Sequence, residues 1–331
     1  MSSTRNLPKP HVVIASPALA AANNGNWQTA SRWARMLGSD FHVRIVPLWH
    51  GEPCDALIAL HARRSAASIE AFANAHPGRA LIVVLTGTDL YRDIRSDATA
   101  QRSLALATHL VTLQAQGPDE LSPPLRAKCS VIYQSARRLT AATKPTRLLR
   151  VLTVGHLRDE KDPLTYLRAA ARLAARTDIR FEHIGDGLDA ALAAAARQAQ
   201  AANAHYRWLG ALPHAATRQR IRRAHLLVNT SRMEGGAHVV LEAAQSGTAV
   251  LASRIAGNVG MLGLAHDGYF EVGDDASLAA LIERARDDAG FLDHLHAQTL
   301  ARAPLFEPGE ERRRLLHLLH TSISETAHER P

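Results

Sequence analysis

Short apolar runs alternate along the chain with amphipathic segments of helical period. In the first half, "HVVIAS" (11–16), "FHVRIVPL" (41–48), "DALIAL" (55–60), "ALIVVLTG" (80–87), "LATHLVTLQ" (106–114) and "CSVIYQ" (129–134) read as strands. Helical patterns over 27–37 and 65–75 separate them. Apolar runs of this length suit strands buried on both faces, and their alternation with helices predicts a parallel sheet.

Residues 139–150, "LTAATKPTRLLR", are small and polar around Pro145 and predict a linker. The rhythm then restarts. "RVLTVG" (150–155), "IRFEHIG" (179–185), "YRWLG" (206–210), "HLLVNT" (225–230), "AVLAS" (249–253) and "GYFEV" (268–272) read as strands. Helices are expected over 163–175, 188–202, 217–223 and 239–245, and from Ser277 onward apart from "APLFEPGEE" (303–311). A chain of 331 residues is long for one core, so two doubly wound α/β domains, 1–143 and 144–304, are expected with a cleft between them.

Charge narrows the partners. With 39 Lys and Arg against 31 Asp and Glu, the net charge of +8 points to nucleic acid, an acidic membrane or a phosphorylated small molecule. The basic residues are dispersed and aromatics make up 5%, so no stacking platform for bases is expected. "VVIASPALAAA" behind Arg5 and Lys9 imitates a signal peptide, but Pro17 interrupts it and a strand over Val12–Ser16 fits better. No apolar run is long enough for a membrane span, and a cytoplasmic location is expected. Cys54 and Cys129 form no CxxC pair, and His294, His296, His317 and His320 show no ligand spacing. D-x-D is absent too, so no metal or other cofactor is expected; the oligomeric state stays open.

The densest chemistry lies in "NTSRMEGGAHVVLEAAQSGTAVLAS" (229–253). Glu234 sits in the loop after a strand, and Gly235 and Gly236 lead with Ala237 into a helix holding Glu242. Such a loop offers unpaired amides to an anion. The two carboxylates suit hydroxyls on either side of it, a sugar near Glu234 and a ribose near Glu242.

With Glu234 and Glu242 separated by seven residues in an S-x-x-E-G-x-G-x-x-x-x-E-A-like segment, the chain resembles family 4 of the glycosyltransferases. The resemblance covers essentially the whole chain and implies the GT-B fold, with a terminal helix over about 305–328 packed back on the first domain. "VGHLRDEKD" (154–162) is similar to the segment that holds the donor diphosphate. Lys161 is kept there, and His156 replaces the family's arginine. The resemblance implies a catalytic Glu234 and Lys161 and a donor site of His156, Lys161, Glu234, Gly235, Gly236, Ala237 and Glu242.

"NNGNWQTASRW", "LTGTDLYRDI", "VIYQSA" and "SRIAGNVGMLG" further resemble the selenosugar synthase family of selenoneine biosynthesis. This implies sugar transfer from UDP-N-acetylglucosamine or UDP-glucose to selenophosphate, with a carbon–selenium bond formed. The usual first-domain histidine is missing from "LTGTDLY", as suits an anionic nucleophile that needs no strong base. Acceptor donors are expected at strand ends of the first domain: Gly25, Asn26, Arg63, Arg64, Thr88, Arg92, Gln134 and Ser135. Asp89 reads either as a catalytic carboxylate for a sugar hydroxyl or an arginine, or as the N-cap of the next helix. Competing readings are a glycosyltransferase with a hydroxyl acceptor, a nucleotide-sugar epimerase and a non-catalytic basic binding protein.

Overall fold

The structure, a computed structural model, describes residues 8–18 and 25–328. The strands are β1 (His11–Ala15), β2 (His42–Val46), β3 (Ala56–Leu60), β4 (Ala80–Leu85), β5 (His109–Thr112), β6 (Cys129–Val131), β7 (Leu149–Val154), β8 (Ile179–Ile184), β9 (Tyr206–Trp208), β10 (Leu226–Asn229), β11 (Ala249–Ser253) and β12 (Tyr269–Phe270). The helices are α1 (Gly25–Leu37), α2 (Ala66–Ala75), α3 (Ile94–Ser96), α4 (Ala98–Leu106), α5 (Pro123–Ala127), α6 (Pro163–Arg172), α7 (Ala190–Ala202), α8 (His214–Arg223), α9 (His238–Ala244), α10 (Ala256–Leu262), α11 (Asp275–Asp287), α12 (Ala289–Ala301) and α13 (Pro308–His328). The chain divides into two compact units, Met1–Tyr133 with Gly309–Pro331, and Gln134–Pro308.

In the first unit six parallel strands run in the order β2-β1-β3-β4-β5-β6. β3 and β4 are buried at every residue, as continuous apolar runs require. Successive side chains serve opposite faces. Val13, Leu57, Leu81 and Val83 pack with Ile69 and Phe72 of α2 and Ala100 and Leu104 of α4. Val12, Ile14, Ile58 and Ile82 pack with Ala30, Trp33 and Leu37 of α1 and Leu315, Leu318 and Leu319 of α13. Burying each such large side chain is worth roughly 1.5–3 kcal/mol.

The break expected over 303–311 is shorter than the composition suggests, because α13 already begins at Pro308. Glu311 is fully buried in its first turn, where Arg32 Nε meets both carboxylate oxygens at 3.1 Å and Trp33 Nε1 donates at 2.7 Å.

The second unit holds six strands in the order β12-β11-β10-β7-β8-β9. Val151, Phe181, Leu226, Val228 and Leu251 face a core shared with α6, α11 and α12. In each sheet the order reverses at one place, between β1 and β3 in the first and between β7 and β10 in the second. Ligands of doubly wound sheets lie outside the carboxyl ends of the strands at that reversal.

Candidate active site

The reversal in the second unit brings the loops after β7 and β10 together. Lys161 ends a 3-10 turn (Asp159–Lys161) in the first loop, and its Nζ lies 2.5 Å from Glu234 Oε1 in the second. Backbone bonds fix the pair: Thr230 Oγ1 donates to Lys161 O at 2.8 Å, and the Arg232 amide to Glu160 O at 2.9 Å. Burial pushes the Glu234 carboxyl up, but the Lys161 charge and hydrogen bonds from Lys161, Ser231 Oγ (2.6 Å) and Asn229 Nδ2 (3.4 Å) outweigh it and hold it below the usual range. Gly235, Gly236 and Ala237 follow directly and lead into α9.

A third loop locks onto the second. Asn258 Nδ2 donates to Ser253 O and Oγ, and Ser253 Oγ to Ser231 O at 2.5 Å. Gly257 presses so close that a β-carbon there would lie 2.1 Å from Glu234 O. His156 projects from the β7 loop, and the Asp186 amide donates to its Nδ1 at 3.0 Å. Partial burial and the Arg158 and Lys161 charges depress its pKa against the opposing pull of Asp186. Because Nδ1 accepts from that amide, the ring proton lies on Nε2, which is a donor.

Glu242 is buried on α9. Its Oε1 lies 2.6 Å from His214 Nε2, 3.3 Å from His238 Nδ1 and 3.8 Å from Arg218. The structure therefore brings Lys161 and Glu234 together and gives Glu242 a separate set of partners.

In the first unit residues 19–24, which include the first two residues of "NNGNWQTASRW", lie outside the described residues. Gly25 and Asn26, expected ahead of a helix over 27–37, instead form its first turn: Thr29 Oγ1 donates to Gly25 O, and Asn26 is buried. Asp89 is fully buried and does not cap a helix through its own turn. Its Oδ1 accepts from the Thr86 and Gly87 amides and its Oδ2 from the Ala62 amide, all at 2.9 Å, so it ties the β3 loop to the β4 loop. Arg63 Nε (2.8 Å) and Arg92 Nε (3.4 Å) converge on Asp93, which offsets their charge. Thr88 is partly buried, with its Oγ1 3.1 Å from His61 Nε2. Gln134 and Ser135 are buried and head the second unit, to which backbone bonds from Ala136 to Phe306 and from Leu139 to Gln245 also tie their segment.

Residues 140–299 match the family model described as "Glycosyl transferases group 1". That match covers just under half of the chain, and the chain is a glycosyltransferase. No curated protein matches it. Among solved structures it is similar to sucrose-phosphate synthase (tll1590) from Thermosynechococcus elongatus, with TM-score 0.76 and 14% identity over 96% of this chain and 100% of that one. Anabaena Alr3699/HepE in complex with UDP and glucose gives TM-score 0.71 and 14% identity over 94% and 100%. The pneumococcal O-GlcNAc transferase GtfA in complex with UDP and GlcNAc gives 0.65 and 15% over 83% and 58%. The chain spans 56% of S. aureus TarM. Such identities establish the fold, two parallel α/β sheets of GT-B type.

In this glycosyltransferase the three partners of Glu242, His214, Arg218 and His238, are absent from the residues that the sequence singled out. His238 and Glu242 stand four apart on one helix face, a spacing that marks them as neighbours; His214 and Arg218 come from α8 and carry no such signal. Burial raises the Glu242 carboxyl, but bonds to His214 and His238 and the charges of His238 and Arg218 bring it down to about 2. Because the folded value is depressed, its contribution to stability is complete above the ordinary 4.5 and is lost as pH falls from there toward 2. Urea unfolding of the wild type is expected to weaken across that window, and Glu242→Gln to flatten the loss. Equal slopes for the two proteins would refute it. Among the described residues no helix is long and apolar enough to cross a membrane.

Proposed function

We propose that this glycosyltransferase moves a sugar from UDP-N-acetylglucosamine or UDP-glucose to selenophosphate. The observation that carries the donor half is the Lys161–Glu234 pair at the β7/β10 reversal, beside the glycine-led entry to α9. The UDP complexes of HepE and GtfA support a UDP-sugar.

An ammonium has three N–H donors, so Lys161 keeps Glu234 with one and turns the others to the diphosphate. His156 Nε2–H and the Gly235–Ala237 amides add to that cradle. Glu234 accepts from a sugar hydroxyl and Glu242 from the ribose. As the anomeric C–O bond breaks, its electron pair leaves with UDP and the sugar becomes oxocarbenium-like. Positive groups already in place stabilise the departing charge, and the reading requires no metal ion. A selenium lone pair closes the new C–Se bond, giving a sugar joined through selenium to phosphate. This nucleophile arrives as an anion and needs no base, which agrees with an Asp89 wholly engaged by backbone amides.

A basic binding protein would instead need a clustered, unpaired basic face. Arg168 and Arg172 both pair with Asp275, and Arg176 with Asp178, Glu283 and Asp287. Incubation with UDP-N-acetylglucosamine or UDP-glucose plus selenophosphate is expected to release UDP and give a selenium-bearing sugar by mass spectrometry. Faster transfer to a sugar or lipid hydroxyl would overturn the acceptor assignment.

A further inference from the structure

The loop after β3, beside the β1/β3 reversal, contains a residue that the reaction above does not use. His61 has a left-handed backbone, φ 74°, which residues with a β-carbon rarely adopt and which clusters at functional sites. It is almost fully buried, and its amide still donates to Val84 O at 2.8 Å, extending the pairing with β4. The Arg64 amide donates to its Nδ1 at 3.3 Å, so the ring proton lies on Nε2. Nε2 faces Thr88 Oγ1 at 3.1 Å and therefore donates to it. With its oxygen so engaged, the Thr88 hydroxyl proton turns away from the ring. Carboxylates face the ring at longer range, Asp89 Oδ2 at 3.8 Å from Nδ1 and Asp93 Oδ2 at 3.9 Å from Nε2.

We propose that His61 is a positioning residue that presents the Thr88 hydroxyl as a hydrogen-bond donor to an oxygen of a small phosphate-type acceptor. The relay runs in one direction: Nδ1 is occupied, Nε2 donates, and neither nitrogen is open to take a proton from an acceptor hydroxyl. An edge wired to donate suits an acceptor that is already anionic, so the inference rests on the oxyanion acceptor proposed above and assigns two residues to hold it. Burial also depresses the His61 pKa despite both carboxylates, which keeps the ring in the neutral state the relay requires.

The test uses the full chain with Thr88→Val, Thr88→Ser, His61→Asn and the double variant His61→Asn/Thr88→Val. Asparagine tolerates the left-handed backbone, and thermal melting checks that each variant folds. Thr88→Val and His61→Asn are each expected to raise the KM for selenophosphate about 10- to 100-fold, the worth of one charge-assisted hydrogen bond. The KM for the UDP-sugar and the Kd for UDP are expected to stay within about twofold, since uniform loss of acceptor binding leaves the donor untouched. Thr88→Ser restores the acceptor KM, and the double variant is no worse than either single one, because both act through one hydroxyl. An unchanged acceptor KM in Thr88→Val, equal loss of donor and acceptor binding, or additive effects would overturn the relay. Calorimetric binding of inorganic phosphate separates the two proposals. If the wild type binds phosphate, Thr88→Val abolishes that binding and selenophosphate is still not turned over, the acceptor assignment falls and the relay stands. If Thr88→Val binds phosphate like the wild type, the relay falls whichever acceptor is used.

Discussion

Lys161→Ala is expected to slow UDP release roughly 100- to 1,000-fold, the usual cost of removing one preorganised charge from a developing anion. Lys161 is half-sheltered, and its ammonium meets Glu234 Oε1 at 2.5 Å. Alanine there removes the cation assigned to the diphosphate and leaves a carboxylate beside it, held only by Ser231 and Asn229. Attraction toward the leaving group is thereby replaced by repulsion. Breaking a buried pair at one partner also destabilises the fold, by about 3–5 kcal/mol in fully dry surroundings and less here, where the lysine reaches water. Melting curves and UDP binding therefore accompany the rate measurement. Glu234→Gln, which keeps the shape and drops the charge, and the double variant form a cycle with Lys161→Ala, whose effects are expected to be far from additive. A folded Lys161→Ala enzyme with a rate within about threefold of wild type would mean that the diphosphate is held elsewhere.

What the residues disclosed in advance follows from which features are local. β3 and β4 were legible because strands covered on both faces must be apolar at every position. Glu234 and Glu242 were legible because a glycine pair at a strand–helix junction has a local meaning. α4 was missed, since "ATAQRSLAL" has few apolar residues and starts from the Asp97 cap rather than from a strong period. α10 was missed because "AGNVGML" carries two glycines, poor helix formers. The burial of Glu311 was not legible because its partners Arg32 and Trp33 lie almost the whole chain away. The state of His156 was equally remote from sequence, since burial and neighbouring charges depress its pKa and an amide of the β8 loop fixes its tautomer. His61 gave no signal, as one histidine after an apolar run has no spacing to test. Its conformation and its threonine partner arise only once β3 and β4 pair.

Gly257→Ala is expected to lower the rate of UDP release by about 100-fold while costing roughly 1–3 kcal/mol of stability. The new methyl group would stand 2.1 Å from Glu234 O and 2.8 Å from Glu234 Cβ. The atoms in the way are backbone and the root of a side chain, so no rotamer change relieves the overlap. One of the two loops must retreat by about an ångström to reach ordinary contact. The β11 loop cannot move freely, because Asn258 is bonded to Ser253 and Ser253 to Ser231, within the same segment as Glu234. The displacement therefore falls on Glu234, and Lys161 loses the geometry that aligns it. Gly309→Ala serves as the control: nothing lies within 4 Å of its added carbon, and alanine favours the helix there, so rate and melting temperature are expected to hold or rise slightly. A Gly257→Ala enzyme that melts lower yet releases UDP at the wild-type rate would show that the loop relaxes without moving Glu234. In that case the close approach supports the fold and not the transfer, and the glycine has no part in placing Glu234.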